Sequence, residues 1–276
     1  MTCRCQILCS MASAVLVRVV WITLAALWLV RGSLGAETFS ESFLNKRHNQ
    51  TMLSVIGDSR FIEPSDEGLQ IHVKPPATEN SGFKYTPQLI GDFLITVNAS
   101  LLDVPKPLPG HGTGIAISIE DGQTYGASIQ RVVFSDNRQS LVSHHFTINA
   151  GQYDHKSKET SFAPNDVTLQ IERKGSKLIY RAAEKGGELK EIDQADFTAN
   201  PIPITLVYAQ TGGGANEVWA RIESFEITAD ELLRPGQRSK IADSKKIPIL
   251  LVVALGIAAV ATGAFLLRRR LPKPKE

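Results

Sequence analysis

Hydrophobic residues recur at every second position through most of residues 37–233. This period places apolar side chains on one face of a strand and polar side chains on the other. Gly, Pro, Asp and Asn, which end strands and build turns, separate the runs. The runs are Leu69/Ile71/Val73, Phe93/Ile95/Val97/Ala99/Leu101, Ile115/Ile117/Ile119, Val167/Leu169/Ile171, Leu178/Tyr180 and Val218/Ala220/Ile222, the last continued by Phe225/Ile227. We therefore predict an all-β domain of antiparallel sheets packed face to face.

The first 36 residues follow a different pattern. Arg4 and Arg18 precede the uncharged run Val19–Val30, and the small residues Gly35 and Ala36 follow it. A positive start, a short apolar run and a small-residue exit are typical of a secretory signal peptide. We predict that residues 1–36 are such a signal; an uncleaved anchor or a buried core helix are the alternatives.

A second apolar segment lies near the C-terminus. Ile247–Leu267 has 21 residues without a charge, and as a helix it would reach about 31 Å, the thickness of a bilayer core. Arg268, Arg269 and Arg270 follow it, which places the C-terminal side in the cytoplasm. We predict a juxtamembrane linker at 234–246, a transmembrane helix at 247–267 in contact with lipid, and a basic cytoplasmic tail at 268–276.

These two ends predict a single-pass membrane protein whose domain is exported. Small residues in the predicted span would also allow two helices to approach and form a homodimer. They are Ala254, Ala258, Ala259, Thr262 and Gly263.

Charge and cysteine content exclude several classes of function. Residues 37–244 contain 27 Asp and Glu against 20 Lys and Arg, so the domain is acidic although the whole chain has a net charge of +2. Nucleic-acid binding needs clustered positive charge and is not expected. Cys3, Cys5 and Cys9 all precede the domain, so we expect no disulfide, thiolate metal site or cysteine nucleophile within it.

Four segments resemble concanavalin-like, laminin-G-type jelly rolls. They are Phe39–Phe43, Glu67–Ile71, Gly91–Thr96 and Val218–Ile227. The longer stretch Gly91–Pro235 is similar to an uncharacterised bacterial family of exported domains with this sandwich. The resemblance implies an antiparallel jelly-roll β-sandwich for residues 37–233, a fold that hosts sugar binders, glycoside hydrolases and adhesive modules.

Our main functional prediction is a membrane-anchored extracytoplasmic recognition module that binds glycan, or another envelope macromolecule, without catalysis. Sugar sites combine an aromatic platform with polar hydrogen-bonding groups. Alternation places Trp219 on the face away from the core, and several polar residues follow Tyr125 along the chain. The predicted ligand-binding residues are Trp219, Tyr125, Arg131, Asn137 and Arg138.

Two alternatives remain at this stage. The segment Glu191–Asp196, EIDQAD, resembles the Glu-Ile-Asp-x-x-Glu strand of jelly-roll glycoside hydrolases, with Asp in place of the final Glu. The resemblance implies Glu191 as nucleophile, Asp193 as helper and Asp196 as acid, provided that a bulge brings them together. The other alternative is a structural envelope protein with no small ligand.

No metal site is predicted from the sequence. His144 and His145 are adjacent in an expected strand, so they should point to opposite faces and not share an ion. His111 lies in a glycine-rich loop and is interpreted as part of a turn. Laminin-G-like domains sometimes bind Ca²⁺, but no Asp-x-Asp-x-Asp-Gly loop occurs. The oxygen ligands considered, for which turn chemistry is favoured, are Asp121, Asp136, Asn137 and Asp154 with His155.

Overall fold

The computed structural model describes residues 35–241 except 47, 48, 50 and 106. All strands in this part belong to one compact unit, Ala36–Arg238. They are β1 (Glu37–Ser42), β2 (Leu53–Ile56), β3 (Ile62–Ser65), β4 (Gly68–Val73), β5 (Ser81–Tyr85), β6 (Gln88–Asp103), β7 (Thr113–Glu120), β8 (Tyr125–Val133), β9 (Gln139–Asn149), β10 (Gln152–Ser161), β11 (Asp166–Lys174), β12 (Lys177–Glu184), β13 (Lys190–Asp196), β14 (Ile204–Gln210) and β15 (Val218–Leu233). Two 3₁₀ turns, Leu44–Lys46 and Ser59–Phe61, lie between early strands.

The strands form two antiparallel sheets. Sheet A has the order β13-β12-β11-β6-β15-β4-β3, and β1 also pairs with β15. Sheet B has the order β10-β9-β8-β7-β14-β5-β2. The chain crosses repeatedly between the sheets, so strands distant in sequence become neighbours, as in a jelly roll. The predicted all-β antiparallel sandwich is confirmed.

The core lies between the inner faces of the two sheets. Ile95 and Val97 of β6 and Ile115 and Ile117 of β7 have no exposed surface, as their alternation predicts. Burying each such side chain contributes about 1.5–3 kcal/mol relative to leaving it in water. The hydrophobic effect therefore fixes which face of each strand points inward and leaves the opposite face for polar side chains.

Register shifts interrupt this alternation at four points, and two of them concern acidic residues. On β15 the register against β6 shifts between Ile222 and Ser224, so Glu223 has no partner residue on β6. On β13 the register against β12 shifts beside Tyr180 and Arg181, so Ile192 is the extra residue. A bulge changes the direction of the side chains beyond it. The shift on β15 leaves Glu223 unpaired, and the shift on β13 lies between Glu191 and Asp193.

β10 is almost wholly exposed, and its polar sequence gave no alternating signal from which to predict it. Residues 1–34 of the predicted signal peptide and the predicted span at 247–267 lie outside the described residues. Within the described residues, no helix is long and apolar enough to cross a membrane.

Candidate functional site

The three carboxylates predicted from the sequence do not converge. Glu191 pairs with Arg181 and Asp193 with Tyr180, and neighbouring residues on β12 point to opposite faces. Tyr180 is fully buried between the sheets, so Asp193 also points inward. There its Oδ2 accepts a 2.5 Å hydrogen bond from Ser143 Oγ of β9.

Asp196 points outward but lies far from Glu191. Its partner residue is Lys177, four positions from Arg181 along β12, which corresponds to about 13 Å at the rise of a strand. Asp196 forms an exposed 3.5 Å ion pair with Lys177, and Glu191 accepts a hydrogen bond from Gln194. Glycosidic cleavage uses carboxyl groups about 5–9.5 Å apart, so the structure does not assemble the predicted catalytic set.

The predicted ligand-binding residues are also distributed over both sheets. Trp219 on β15 belongs to sheet A, where its 36% exposed side chain stacks on His72 with ring centroids 4.9 Å apart. Tyr125 on β8 belongs to sheet B and packs edge-on against Phe197. These two aromatic residues therefore do not share a binding surface.

Arg131 points into the protein and is not available to a ligand. Its side chain is fully buried, and it donates hydrogen bonds to four neutral oxygens. Burial lowers the pKa of Arg131 to about 10. The acceptors are the carbonyl oxygens of Val132, Ala163 and Pro164 and the side-chain oxygen of Gln139. Arg131 thus holds the loop between β10 and β11 against β8.

The remaining predicted residues build turns. Asn137 has φ of +66°, and its N–H donates to Phe134. Arg138 is ion-paired with Asp136 and Glu159. Asp121 Oδ1 accepts three backbone hydrogen bonds from residues 123–125. Among the described residues no group of three or more His, Cys, Asp or Glu side chains is arranged to hold a metal ion.

A different polar cluster lies on the outer face of sheet A, at the bulge of β15. We call it the Ser100 site: Ser100 on β6, Asp166 on β11, and Arg221 and Glu223 on β15. Antiparallel pairing aligns Asp166, Ser100 and Arg221 in one row across three strands. The bulge adds Glu223 beside this row, because Glu223 is the residue without a partner on β6.

Two carboxylates meet at one hydroxyl in this site. Ser100 Oγ lies 2.5 Å from Asp166 Oδ1 and 3.3 Å from Glu223 Oε1. Those distances limit the two carboxyl oxygens to a separation of at most about 6 Å, a limit that allows the 5–5.5 Å of retaining glycoside hydrolases. Ser100 is buried and carries a single proton, so it can donate to only one of them at a time.

The two carboxylates differ in their charged neighbours. Glu223 Oε2 lies 2.5 Å from Lys185 Nζ, and Glu223 Oε1 lies 3.4 Å from Arg221 Nη2. The Glu223 side chain is only 12% exposed. Asp166 is exposed and has no ion-pair partner within the described part of the chain. Arg221 also pairs with Glu67, and its buried Nε has no hydrogen-bond partner among the described residues.

A cavity of about 510 Å³ opens beside Glu223. Asn98, Thr168 and Ser224 form a row across β11, β6 and β15 on its wall. Thr168 donates to Asn98 at 2.6 Å, and Asn98 donates to Ser224 at 2.8 Å. Leu44 and Leu189 add apolar surface. The wall thus offers hydroxyl and amide groups next to apolar side chains, and none of its described lining residues is aromatic.

Sequence inspection did not identify the Ser100 site. One signal was available: Ile222 and Phe225 are both buried, yet three positions separate them where strict alternation requires two. That spacing indicates a bulge, and Glu223 lies within it. The proximity of Asp166 and Ser100 depends on pairing between strands and leaves no local signal.

No protein-family model matches the chain, and no curated protein sequence matches it. Solved structures do share its fold. A GH16 protein of the Bacteroides ovatus mixed-linkage glucan PUL, in complex with a G4G4G3G product, superposes with a TM-score of 0.52 at 10% identity over 68% of this chain and 99% of that one. A glycosyl hydrolase family 16 protein from Mycobacterium smegmatis superposes with a TM-score of 0.51 at 8% identity. The match covers 68% of this chain and 98% of that one.

A third solved structure contains this fold as one part of a longer chain. The GH43 protein BlXynB from Bacillus licheniformis gives a TM-score of 0.51 at 9% identity, over 69% of this chain and 39% of that one. At these identities the likeness establishes the fold, and the predicted concanavalin-like jelly roll is confirmed.

The comparisons also correct our main functional prediction. We predicted a recognition module without catalysis, whereas the structural neighbours are glycoside hydrolases of the GH16 and GH43 kinds. The prediction of a non-catalytic module is wrong, and the alternative of a glycoside hydrolase agrees better with these neighbours.

Proposed function

We propose that this protein is a glycoside hydrolase whose reaction takes place at the Ser100 site, with Glu223 as nucleophile and Asp166 as acid and base. The observation that carries the proposal is the meeting of Asp166 and Glu223 at Ser100 Oγ, next to a polar cavity. The separation of their nearest carboxyl oxygens, at most about 6 Å, is compatible with a retaining pair. The fold of the structural neighbours supports the same reaction class but assigns no residue.

The charged neighbours support this division of roles. Glu223 lines the cavity and is held by Lys185 and Arg221, which orient its carboxylate. Its oxygen would attack the anomeric carbon while the bond to the leaving oxygen breaks. Asp166, when protonated, would donate its proton to that leaving oxygen. Ser100 connects the two groups, because its hydroxyl can accept from protonated Asp166 and donate to Glu223.

The second half of the reaction restores the enzyme. Water would attack the anomeric carbon of the glycosyl-enzyme, Asp166 would take the proton of that water, and the bond to Glu223 would break. The products are a free sugar with its original anomeric configuration and the two carboxyl groups in their starting states.

Hydrolysis by the full-length protein tests the proposal. Release of reducing ends is measured on mixed-linkage glucan and on a panel of soluble glucans, xylans and galactans. We expect Glu223→Gln and Asp166→Asn to lower kcat by about a hundredfold or more. Glu191→Gln is the matched control, because it removes an exposed carboxylate of sheet A outside the Ser100 site, and it should retain full activity.

Two results would contradict the proposal. One is no release of reducing ends from any polysaccharide of the panel by the unchanged protein. The other is full activity of Glu223→Gln. Proton NMR of the first product separates the mechanisms, since an inverted anomeric configuration would remove Glu223 from the role of nucleophile.

We also propose that hydrolysis takes place outside the cytoplasm, near a membrane. The support comes from the sequence alone: the signal-like residues 1–36 and the apolar run at 247–267. Fractionation of cells that make the full-length protein tests this. The protein should remain with membranes after a salt wash and should be digested by protease added outside the cytoplasmic membrane.

A further inference from the structure

The β9–β10 hairpin carries a cluster of four rings on the outer face of sheet B, away from the Ser100 site. The rings are His144 and Phe146 of β9 and Tyr153 and His155 of β10. Neighbouring ring centroids lie 5.2–6.0 Å apart. The two imidazoles are separated by 5.7 Å between centroids.

Strand register brings the two histidines together. His155 lies directly opposite Phe146, so it is the diagonal neighbour of His144 on the same face. His145, the sequence neighbour of His144, points to the other face. The histidine that meets His144 is therefore the one across the hairpin, eleven positions further along the chain.

The geometry points to a transition-metal site formed by the imidazoles of His144 and His155, for which Cu²⁺ is the best-suited ion. Two imidazole nitrogens that bind one ion at about 2.0–2.1 Å place their ring centroids about 4.5–5.2 Å apart. The observed rings need to approach by roughly 1 Å, which side-chain rotation can provide. No described third side chain completes the site, so water would fill the other positions around a bound ion.

The ring nitrogens of both histidines are available to an ion. Among the described residues, neither imidazole has a hydrogen-bonding partner. Burial lowers the pKa of His144, and the nearby His155, His145 and His111 lower it further.

Other titratable groups lie near the pair: His111 and His145 near His144, and Glu120 near Tyr153. Tyr153 contacts His155, and burial followed by the charge of Glu120 raises its pKa above the usual value. Across the sheet, Ser128 of β8 and Ser157 of β10 lie in register with His144. These hydroxyl groups are neutral, so no described residue in register with His144 opposes a bound cation.

Copper titration of the full-length protein tests the site. The thiols of Cys3, Cys5 and Cys9 are alkylated first, because they would otherwise bind copper. Isothermal titration with CuCl₂ gives the affinity, and electron paramagnetic resonance counts the coordinated nitrogens. We expect one Cu²⁺ with superhyperfine coupling to two imidazole nitrogens.

Single histidine substitutions test whether Cu²⁺ binds at this pair. His155→Gln and His144→Gln should each weaken Cu²⁺ binding at least tenfold and remove one coupled nitrogen. His72→Gln, which changes a histidine of sheet A, should change neither quantity.

Three outcomes would overturn the inference: no Cu²⁺ binding by the alkylated protein, equal affinity for the protein and its His155→Gln variant, or an unchanged nitrogen count in that variant. None of them bears on hydrolysis at the Ser100 site, so the two proposals fail independently.

Discussion

Glu191 and Asp193 are two positions apart on β13, yet their side chains point to opposite faces of sheet A. Regular alternation would place them on the same face, but the register shift at Tyr180 and Arg181 inserts Ile192 as an extra residue. The consequence is that Asp193 contacts the other sheet through Ser143, while Glu191 remains exposed.

We predict that Asp193 stabilises the sandwich and takes no part in hydrolysis. Asp193→Ala should lower the free energy of unfolding by about 1.5–3 kcal/mol, because it removes a hydrogen bond to a charged group. Urea denaturation measures this, and kcat per folded molecule should not change. In a double-mutant cycle, Ser143→Ala should lower the free energy of unfolding little further in the Asp193→Ala variant. If the losses of the two single variants simply add in the double variant, the hydrogen bond contributes nothing to stability.

Two arginines of sheet B should respond very differently to substitution. Arg131→Met removes a buried donor and leaves loop carbonyls without hydrogen bonds, so we expect a loss of about 2–4 kcal/mol. Arg138→Met removes an exposed ion pair and should cost no more than about 1 kcal/mol. Equal midpoints of urea unfolding for the two variants would contradict the structural role assigned to Arg131.

Gly126 on β8 provides the space in which the ring of Phe146 lies. A Cβ at position 126 would be 2.2 Å from two atoms of that ring, so Gly126→Ala should destabilise the protein by about 1–3 kcal/mol. In a Phe146→Ala background the same change should have almost no effect. Thermal unfolding of the four proteins measures the coupling, and equal effects in both backgrounds would exclude this contact as the cause.

Asp121 should make stability fall in acid. Burial alone would raise the pKa of its carboxyl, but the backbone N–H groups of residues 123–125 and the amide of Asn200 lower it below the usual value. A lowered folded-state pKa means that the unfolded chain binds the proton first, so the stabilisation is complete above about pH 4. It is lost as the pH falls through the folded-state value.

Unfolding between pH 2 and 6 tests this dependence. Asp121→Asn should be less stable at pH 6, by an amount on the order of 1 kcal/mol, and should show a shallower decline below pH 4. Asp154→Asn, an exposed carboxylate on β10, is the control and should follow the pH dependence of the unchanged protein. An identical slope for Asp121→Asn would show that the turn around Asp121 does not depend on the charge.

The sequence by itself determined the fold class and the inward face of most strands. Runs such as Ile115, Ile117 and Ile119 carry this information locally, because burial of alternate apolar side chains is a property of each strand. It did not predict β10, whose polar residues are held by pairing with β9 and not by burial.

Only the tertiary structure decided which polar groups meet. Glu191, Asp193 and Asp196 are close in sequence and separated in space, whereas Asp166 and Glu223 are 57 positions apart and share one hydroxyl. The same holds for His144 and His155, which strand register joins although His145 is nearer in sequence. The physical reason is that side-chain proximity in a sheet follows strand order, register and bulges, and these are set by packing between segments distant along the chain.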